Sequence, residues 1–171
     1  RTPAIDRLAK EGMRFDNFTC ANSICSPSRA SILTGQYSHK NGVLGLNGSI
    51  NDDSPQYPVE LRKAGYQTWL VGKWHLRSQP KGYDKHMVVK GQGKYFDPTF
   101  TGSEGTWQRK GYSTDVYTDV AMDWLKKRDK KKPFLLSLQF KAPHHDYGHA
   151  ARYDELLAGV PIAEPPTLYE D

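Results

Sequence analysis

Apolar positions recur along this chain in segments punctuated by Gly and Pro. Thr2-Pro3 opens the first segment and Gly12 closes it, which predicts a helix with Pro3 at its first position. Met13 to Thr19 alternates loosely and predicts a short strand. Cys25 opens a second helix, with Pro27 near its start, Ala30, Ile32 and Leu33 inside and Gly35 at the stop. Pro58 to Gly65 repeats the Pro-start, Gly-stop logic, and Gln67 to Val71 follows as a strand. Residues 77–112, rich in Gly, Tyr and Lys, read as excursion loops. Ser113 to Lys127 is amphipathic, with Val116, Val120, Met122, Trp124 and Leu125 as its apolar stripe. Phe134 to Phe140 predicts a buried strand, with Lys141-Ala142-Pro143-His144-His145 directly after it.

Alternating helices and strands predict an α/β layer fold with a mainly parallel sheet. Ligands in such sheets bind beyond the carboxyl ends of the strands. Gly72-Lys73-Trp74-His75-Leu76 follows one predicted strand and Lys141/His144 follows another, so two strands deliver Lys and His to one edge.

Composition narrows the function. With 37% hydrophobic and 25% charged residues the 171-residue chain is of ordinary globular type. No run of about 18 apolar residues offers a transmembrane segment. Cys20 and Cys25 are too few for a disulfide framework. The net charge of +5 is carried entirely by the run Lys126–Lys132, where a helix is expected to end. Cations there complement the helix dipole, and the balanced remainder gives no basic face for nucleic acid. The helix opening at Arg1 and the Pro-rich stretch Gly159–Asp171 suggest part of a larger domain.

The richest local signal is Cys25-Ser26-Pro27-Ser28-Arg29-Ala30-Ser31-Ile32-Leu33-Thr34-Gly35. Cys25 falls at a predicted helix start, where N–H groups and the dipole favour anions. Arg29, four residues on, shares its face and can reach back. The plainer alternatives are an inert buried thiol or a redox or metal pair with Cys20, which is otherwise assigned to packing. Lys73 and His75 face one side if extended geometry continues, and a loop Lys with a capping His is the bland alternative. His144 is favoured over His145 because it follows the Ala-Pro pair, and Asp146 is placed to orient one of the two rings. His39, His86 and His149 receive no role.

The Cys-x-Pro-x-Arg core followed by Leu-Thr-Gly resembles the maturation motif of the type I sulfatases, in the alkaline-phosphatase-like superfamily. The resemblance implies a three-layer α/β/α fold, of which residues 1–171 form an amino-terminal-to-middle part lacking the first strand and the carboxy-terminal part. It implies that a formylglycine-generating or sulfatase-maturating enzyme oxidises Cys25 to formylglycine. One oxygen of the hydrated aldehyde attacks sulfur, and the covalent sulfate leaves when the other hydroxyl loses its proton. Arg29 is the partner of residue 25, Lys73 binds sulfate oxygens, and His75 handles the diol proton. His144 contacts sulfate and protonates the departing alcohol. A Ca2+ ion is implied too, with residue 25 as the one ligand within this chain, its acidic ligands lying outside, and Asp52-Asp53 a decoy. The isolated chain is therefore expected to show no turnover, and the full-length protein to be periplasmic or secreted.

Gly91 to Pro98 and Gly111 to Asp115 look like segments of bacterial N-acetylglucosamine-6-sulfatases. They imply a sulfuric ester hydrolase acting on 6-O-sulfo-N-acetylglucosamine in glycosaminoglycan or mucin, with Tyr95 and Phe96 stacking on the sugar at the pocket rim. The rivals are a formylglycine-dependent phosphonate or phosphate ester hydrolase, and a non-catalytic sulfoglycan-binding module built on the Lys126–Lys132 run.

Overall fold

Residues 2–169 are described by a computed structural model. The chain divides into two units, Arg1–Gln56 with Leu76–Gln79, and Tyr57–His75 with Pro80–Asp171.

In the first unit, helix α1 spans Pro3–Glu11 and closes with the Gly12 N–H on the Leu8 carbonyl. Thr2 does not cap it with a side-chain acceptor; its hydroxyl donates to Asp6 at 2.9 Å instead. Residues 2–21 are exposed throughout, and the strand expected at Met13–Thr19 is absent. A strand exists by pairing, and among the described residues no strand runs beside this segment. Cys20, assigned to packing, is exposed as well. Helix α2 spans Cys25–Thr34, with Gly35 in the left-handed conformation that ends it. Helix α3 is one turn, Ser38–Asn41. Ala30, Leu33, Val43 and Ile50 are buried in this unit, with Thr34 and Asn41 as buried polar members.

The second unit holds α4 (Tyr57–Lys63), β1 (Gln67–Lys73), β2 (Lys85–Val89), β3 (Thr99–Gly102), β4 (Gly105–Gln108), α5 (Ser113–Lys127) and β5 (Phe134–Gln139). The sheet order is β4-β3-β2-β1-β5. β1 pairs in parallel with both β2 and β5, whereas β2/β3 and β3/β4 are antiparallel. The sheet is thus mixed, its longer pairings parallel and its antiparallel part confined to the short strands at one side. Three of its strands lie in the 77–112 region read as loops, each only four or five residues long. Such short strands, two of them Gly-bounded, carry too few alternations to show a period.

β1 has a strand on each side and is buried at six of its seven positions. Trp69 and Val71 pack with Val116, Tyr117 and Val120 of α5. On the opposite face, Leu70 is the register partner of Ser137, whose hydroxyl lies 3.2 Å from that of Tyr57 in α4 and 3.1 Å from that of Tyr83. Helices therefore cover both faces of this sheet. The stripe of α5 is Val116, Tyr117, Val120 and Ala121, while Met122 is exposed, since a 3.6-residue period turns position 122 away. β5 is half-buried rather than buried, with Ser137 its one buried residue, because it borders the described sheet on one side only.

Candidate active site

Cys25 is the first residue of α2 and is half-buried. Ile24 before it is extended, with its N–H held by the Asn22 side chain at 3.2 Å and its carbonyl taken by the Ser28 N–H at 2.9 Å. The chain therefore turns sharply into the helix at residue 25. Burial holds the Arg29 guanidinium below the ordinary arginine value, and Cys25 acts on it in the opposite sense. The two side chains thus feel one another, as their four-residue spacing requires.

The rest of the motif is structural. Ser26 is buried and donates to the Leu46 carbonyl at 3.3 Å. Thr34 donates back to the Ala30 carbonyl at 2.7 Å and accepts from the Asn41 amide at 3.4 Å. Asn41 also donates to the Gln36 carbonyl at 3.0 Å and accepts the Val43 N–H at 2.9 Å. The residues after Cys25 thus fasten the helix that presents it. Asn41 carried no sequence signal, since its partners are set by the fold.

In the second unit, β1 and β5 converge at Gly72. Its φ is +108°, and a Cβ there would lie 2.0 Å from the Gln139 carbonyl oxygen. Only glycine fits. Lys73, the last residue of β1, is 2% exposed. A side chain this cationic is rarely so buried without a purpose. Extended geometry then stops, because His75 takes φ +52°. The condition for Lys73 and His75 to share a side is not met.

Beyond β5, Lys141 is 5% exposed, and its ammonium sits 4.7 Å from the centre of the Tyr95 ring. The Tyr95 hydroxyl donates to the His144 carbonyl. Tyr112 lies parallel to Tyr95 at 6.3 Å and donates to the Gly148 carbonyl at 3.2 Å, while Gly148 itself backs onto the Tyr95 ring. Arg152 grips Asp115 of α5 through two bonds of 2.7 and 2.8 Å. Lys141 and His144 are thus carried by a segment secured at both ends.

The His144 imidazole is held below its ordinary value, chiefly by desolvation and further by the charges of Lys73, His145 and Lys141, against a hydrogen bond to the His145 carbonyl that acts in the opposite sense. Two lysines and an imidazole from β1 and the segment after β5 therefore lie near enough to act on one another, a concentration of positive charge of the kind that anion binding uses. Asp146 orients His145, at 3.3 Å, rather than His144. Asp146 and Tyr147 take φ values of +73° and +40°, a strained backbone beside this cluster.

Two expectations change. Tyr95 is 8% exposed and walled by Lys141, Tyr112 and Gly148, so it supports the cluster and cannot stack on a sugar; Phe96, 49% exposed, can. The Lys126–Lys132 run is partly structural, since Gln67 brackets the Asp129 backbone at 2.8 and 2.9 Å and Arg128 lies 4.9 Å over the Phe134 ring.

For a hard divalent cation the donors of the described residues are insufficient. Among the described residues no three His, Cys, Asp or Glu side chains gather into a metal site. Asp52 and Asp53 fall in a turn, in the unit that also holds Cys25, without completing one.

The fold has counterparts among known proteins. A family model described as Sulfatase matches residues 1–160, and the chain belongs to the sulfatase family. It is 42% identical over 174 residues to N-acetylglucosamine-6-O-sulfatase of Bacteroides thetaiotaomicron, a match covering 100% of this chain and 31% of that protein. Human N-acetylgalactosamine-6-sulfatase is 32% identical over 181 residues, covering 84% of this chain and 35% of the relative. The structure of BT4656 in complex with its substrate D-glucosamine-2-N,6-O-disulfate superposes with a TM-score of 0.94 at 43% identity, covering 99% of this chain and 35% of that one. The chain thus spans about a third of the length of the relatives it matches. Among the described residues no helix is long and apolar enough to cross a membrane.

Proposed function

We propose that this chain is the nucleophile-bearing part of a sulfuric ester hydrolase that releases inorganic sulfate from a 6-O-sulfated glucosamine. The observation that carries the reading is the electrostatic cluster of Lys73, Lys141 and His144 at the carboxyl ends of β1 and β5, in a chain of the sulfatase family. Cys25, once oxidised to formylglycine, supplies as its hydrate the oxygen that attacks sulfur. Arg29 holds that group. Lys73 and Lys141 bind the sulfate oxygens, where two buried ammonium groups stabilise the charge that builds on the transferred group. His144 gives its proton to the departing sugar oxygen, and His75 accepts the proton whose loss expels the sulfate. The substrate follows the relatives: a sulfated glucosamine is bound in the BT4656 structure, and the Bacteroides relative is named for the 6-sulfate.

The test uses full-length protein made with a formylglycine-generating system. The Cys25 peptide is expected about 18 Da lighter than its thiol form. Sulfate release is expected to favour 6-O-sulfated N-acetylglucosamine over 4-O-sulfated N-acetylgalactosamine by roughly tenfold in kcat/KM, about 1.4 kcal/mol. An unmodified thiol in active enzyme overturns the nucleophile, and equal or reversed rates overturn the sugar.

A further inference from the structure

A hollow opens at the end of the sheet where β1 and β2 begin. It encloses about 360 Å³ between the last turns of α5 and the start of β2. α5 packs chiefly on β1 and β5, so the face of β2 beside it is left partly uncovered. The turn between β3 and β4 closes the outer side, where Lys85 pairs with Glu104 at 2.9 Å. β1 is seven residues long, which sets the Gln67 edge of the hollow about 20 Å from Lys73. No side chain given a part in the reaction lines it.

Floor and rim differ in kind. The floor is apolar, with Met87 beside Trp69 and Trp124, whose rings lie 5.3 Å apart. Two of the rim cations are engaged within the fold: Lys85 by Glu104 and the Trp69 ring, and Arg128 by the Leu125 carbonyl and the Phe134 ring. Arg109 and Lys127 are exposed, and among the described residues neither side chain makes an ion pair or a hydrogen bond. Asp123 stands on the same rim, likewise unpaired. Such a lining suits a ligand with a flat apolar face, anions at its edge and a hydroxyl between them.

Resting on the hydrolase reading above for the class of saccharide, we propose that this hollow is a non-catalytic binding site for a sulfated stretch of the glycan chain. The C–H face of one sugar ring lies on the Trp124 side of the floor. Sulfate oxygens accept from Arg109 and Lys127, and a ring hydroxyl donates to Asp123. A glycan held here and at the Lys73/Lys141/His144 cluster is released more slowly than a single sugar, because loss of one contact leaves the other in place.

Binding is measured on full-length protein carrying Cys25→Ala, so that no ligand is consumed. The probes are a sulfated glucosamine–uronate hexasaccharide, the same hexasaccharide without sulfate, and a 6-O-sulfated glucosamine monosaccharide. The sulfated hexasaccharide is expected to bind at least roughly tenfold more tightly than either of the others and to change the indole fluorescence. In Arg109→Gln/Lys127→Gln its advantage over the monosaccharide is expected to fall towards one, with the monosaccharide affinity unchanged. Both cations are exposed, so the fold is not at stake. Trp124→Phe keeps an aromatic ring against Trp69 and Phe134 and is expected to abolish the fluorescence change. Lys130→Gln/Lys131→Gln removes two exposed cations that do not line the hollow and is expected to leave the advantage in place. Equal affinities in the parent, an advantage that survives loss of Arg109 and Lys127, or an equal loss in the Lys130/Lys131 variant overturns the site; the last outcome would mean diffuse attraction to positive charge. Sulfate release by the protein with Cys25 intact reports on the reaction separately: no turnover with an Arg109- and Lys127-dependent advantage removes the reaction alone, and turnover with equal affinities removes the hollow alone.

Discussion

The start of α2 and the ends of β1 and β5 build polar sites in opposite ways. At α2, Cys25, Arg29 and the fastening residues Ser26 and Thr34 fall within one eleven-residue stretch, with their partners Asn41 and Leu46 soon after it. At the strand ends, Lys73, Tyr95, Tyr112 and the Lys141–His144 segment come from four places along the chain, and the register of a mixed sheet joins them. A contiguous site needs only its own helix. A dispersed site inherits every error in strand pairing, turn geometry and aromatic packing. Substitutions should therefore separate cleanly into chemical and structural effects at α2, and should blend the two at the strand ends.

The largest expected effect tests the first half of that contrast. Cys25→Ala leaves a good helix former at a half-buried position, so sulfate release by full-length protein should fall at least about a thousandfold, with the melting temperature within about 2 °C of the parent. Asn41→Ala should do the reverse, lowering stability by about 1–3 kcal/mol through its lost bonds to Thr34, Gln36 and Val43 while activity per folded molecule persists. Denaturation and turnover measured on the same samples decide it. A stability loss in the first variant, or a turnover loss in the second, would break the contrast.

A pH profile tests the second half. His144 is held below its ordinary value of about 6.5, so it loses its proton at lower pH than a free histidine. As the proton donor to a sugar leaving group, its contribution should be full at low pH and fade as pH rises through that lowered value. With His144→Ala, release from a sugar sulfate should fall roughly a hundredfold and lose this limb. Release from an activated aryl sulfate, whose leaving group needs no proton, should fall far less. A parallel loss on both substrates would assign His144 to binding instead.

This division also explains what the sequence disclosed. Helices α1, α2, α4 and α5 were legible because Pro starts, Gly stops and a 3.6-residue stripe are local marks. The sulfatase motif was legible for the same reason, being contiguous. β2, β3 and β4 were not, since strands of four or five residues owe their existence to neighbours that sequence order does not reveal. Met13–Thr19 shows the converse: a strand-like pattern among the described residues with no strand to meet it. Lys73, Lys141 and His144 could be named from their places after apolar runs. That Asp146 serves His145, that His75 breaks the extended line, and that Tyr95 lies beneath the cluster depended on backbone angles and packing.

Tyr95 offers the smallest and most discriminating effect. Burial pushes its phenol up, so it stays a donor to the His144 carbonyl across the neutral range. Tyr95→Phe removes that donor and keeps the ring that seats Lys141, faces Tyr112 and supports Gly148. The expected loss is about three- to tenfold, the weight of one hydrogen bond, and it should fall on kcat for a sugar sulfate that needs the His144 proton. An activated aryl sulfate should be nearly indifferent. Tyr95→Leu removes the ring as well, so the Lys141 ammonium loses its seat, KM rises, and both substrates suffer. A tyrosine that merely fills space would give the opposite order: Phe equal to the parent on every substrate, with the whole effect in Leu appearing as lost stability. Kinetics of the two variants on the two substrates, beside their melting curves, distinguish a positioning residue from a packing one.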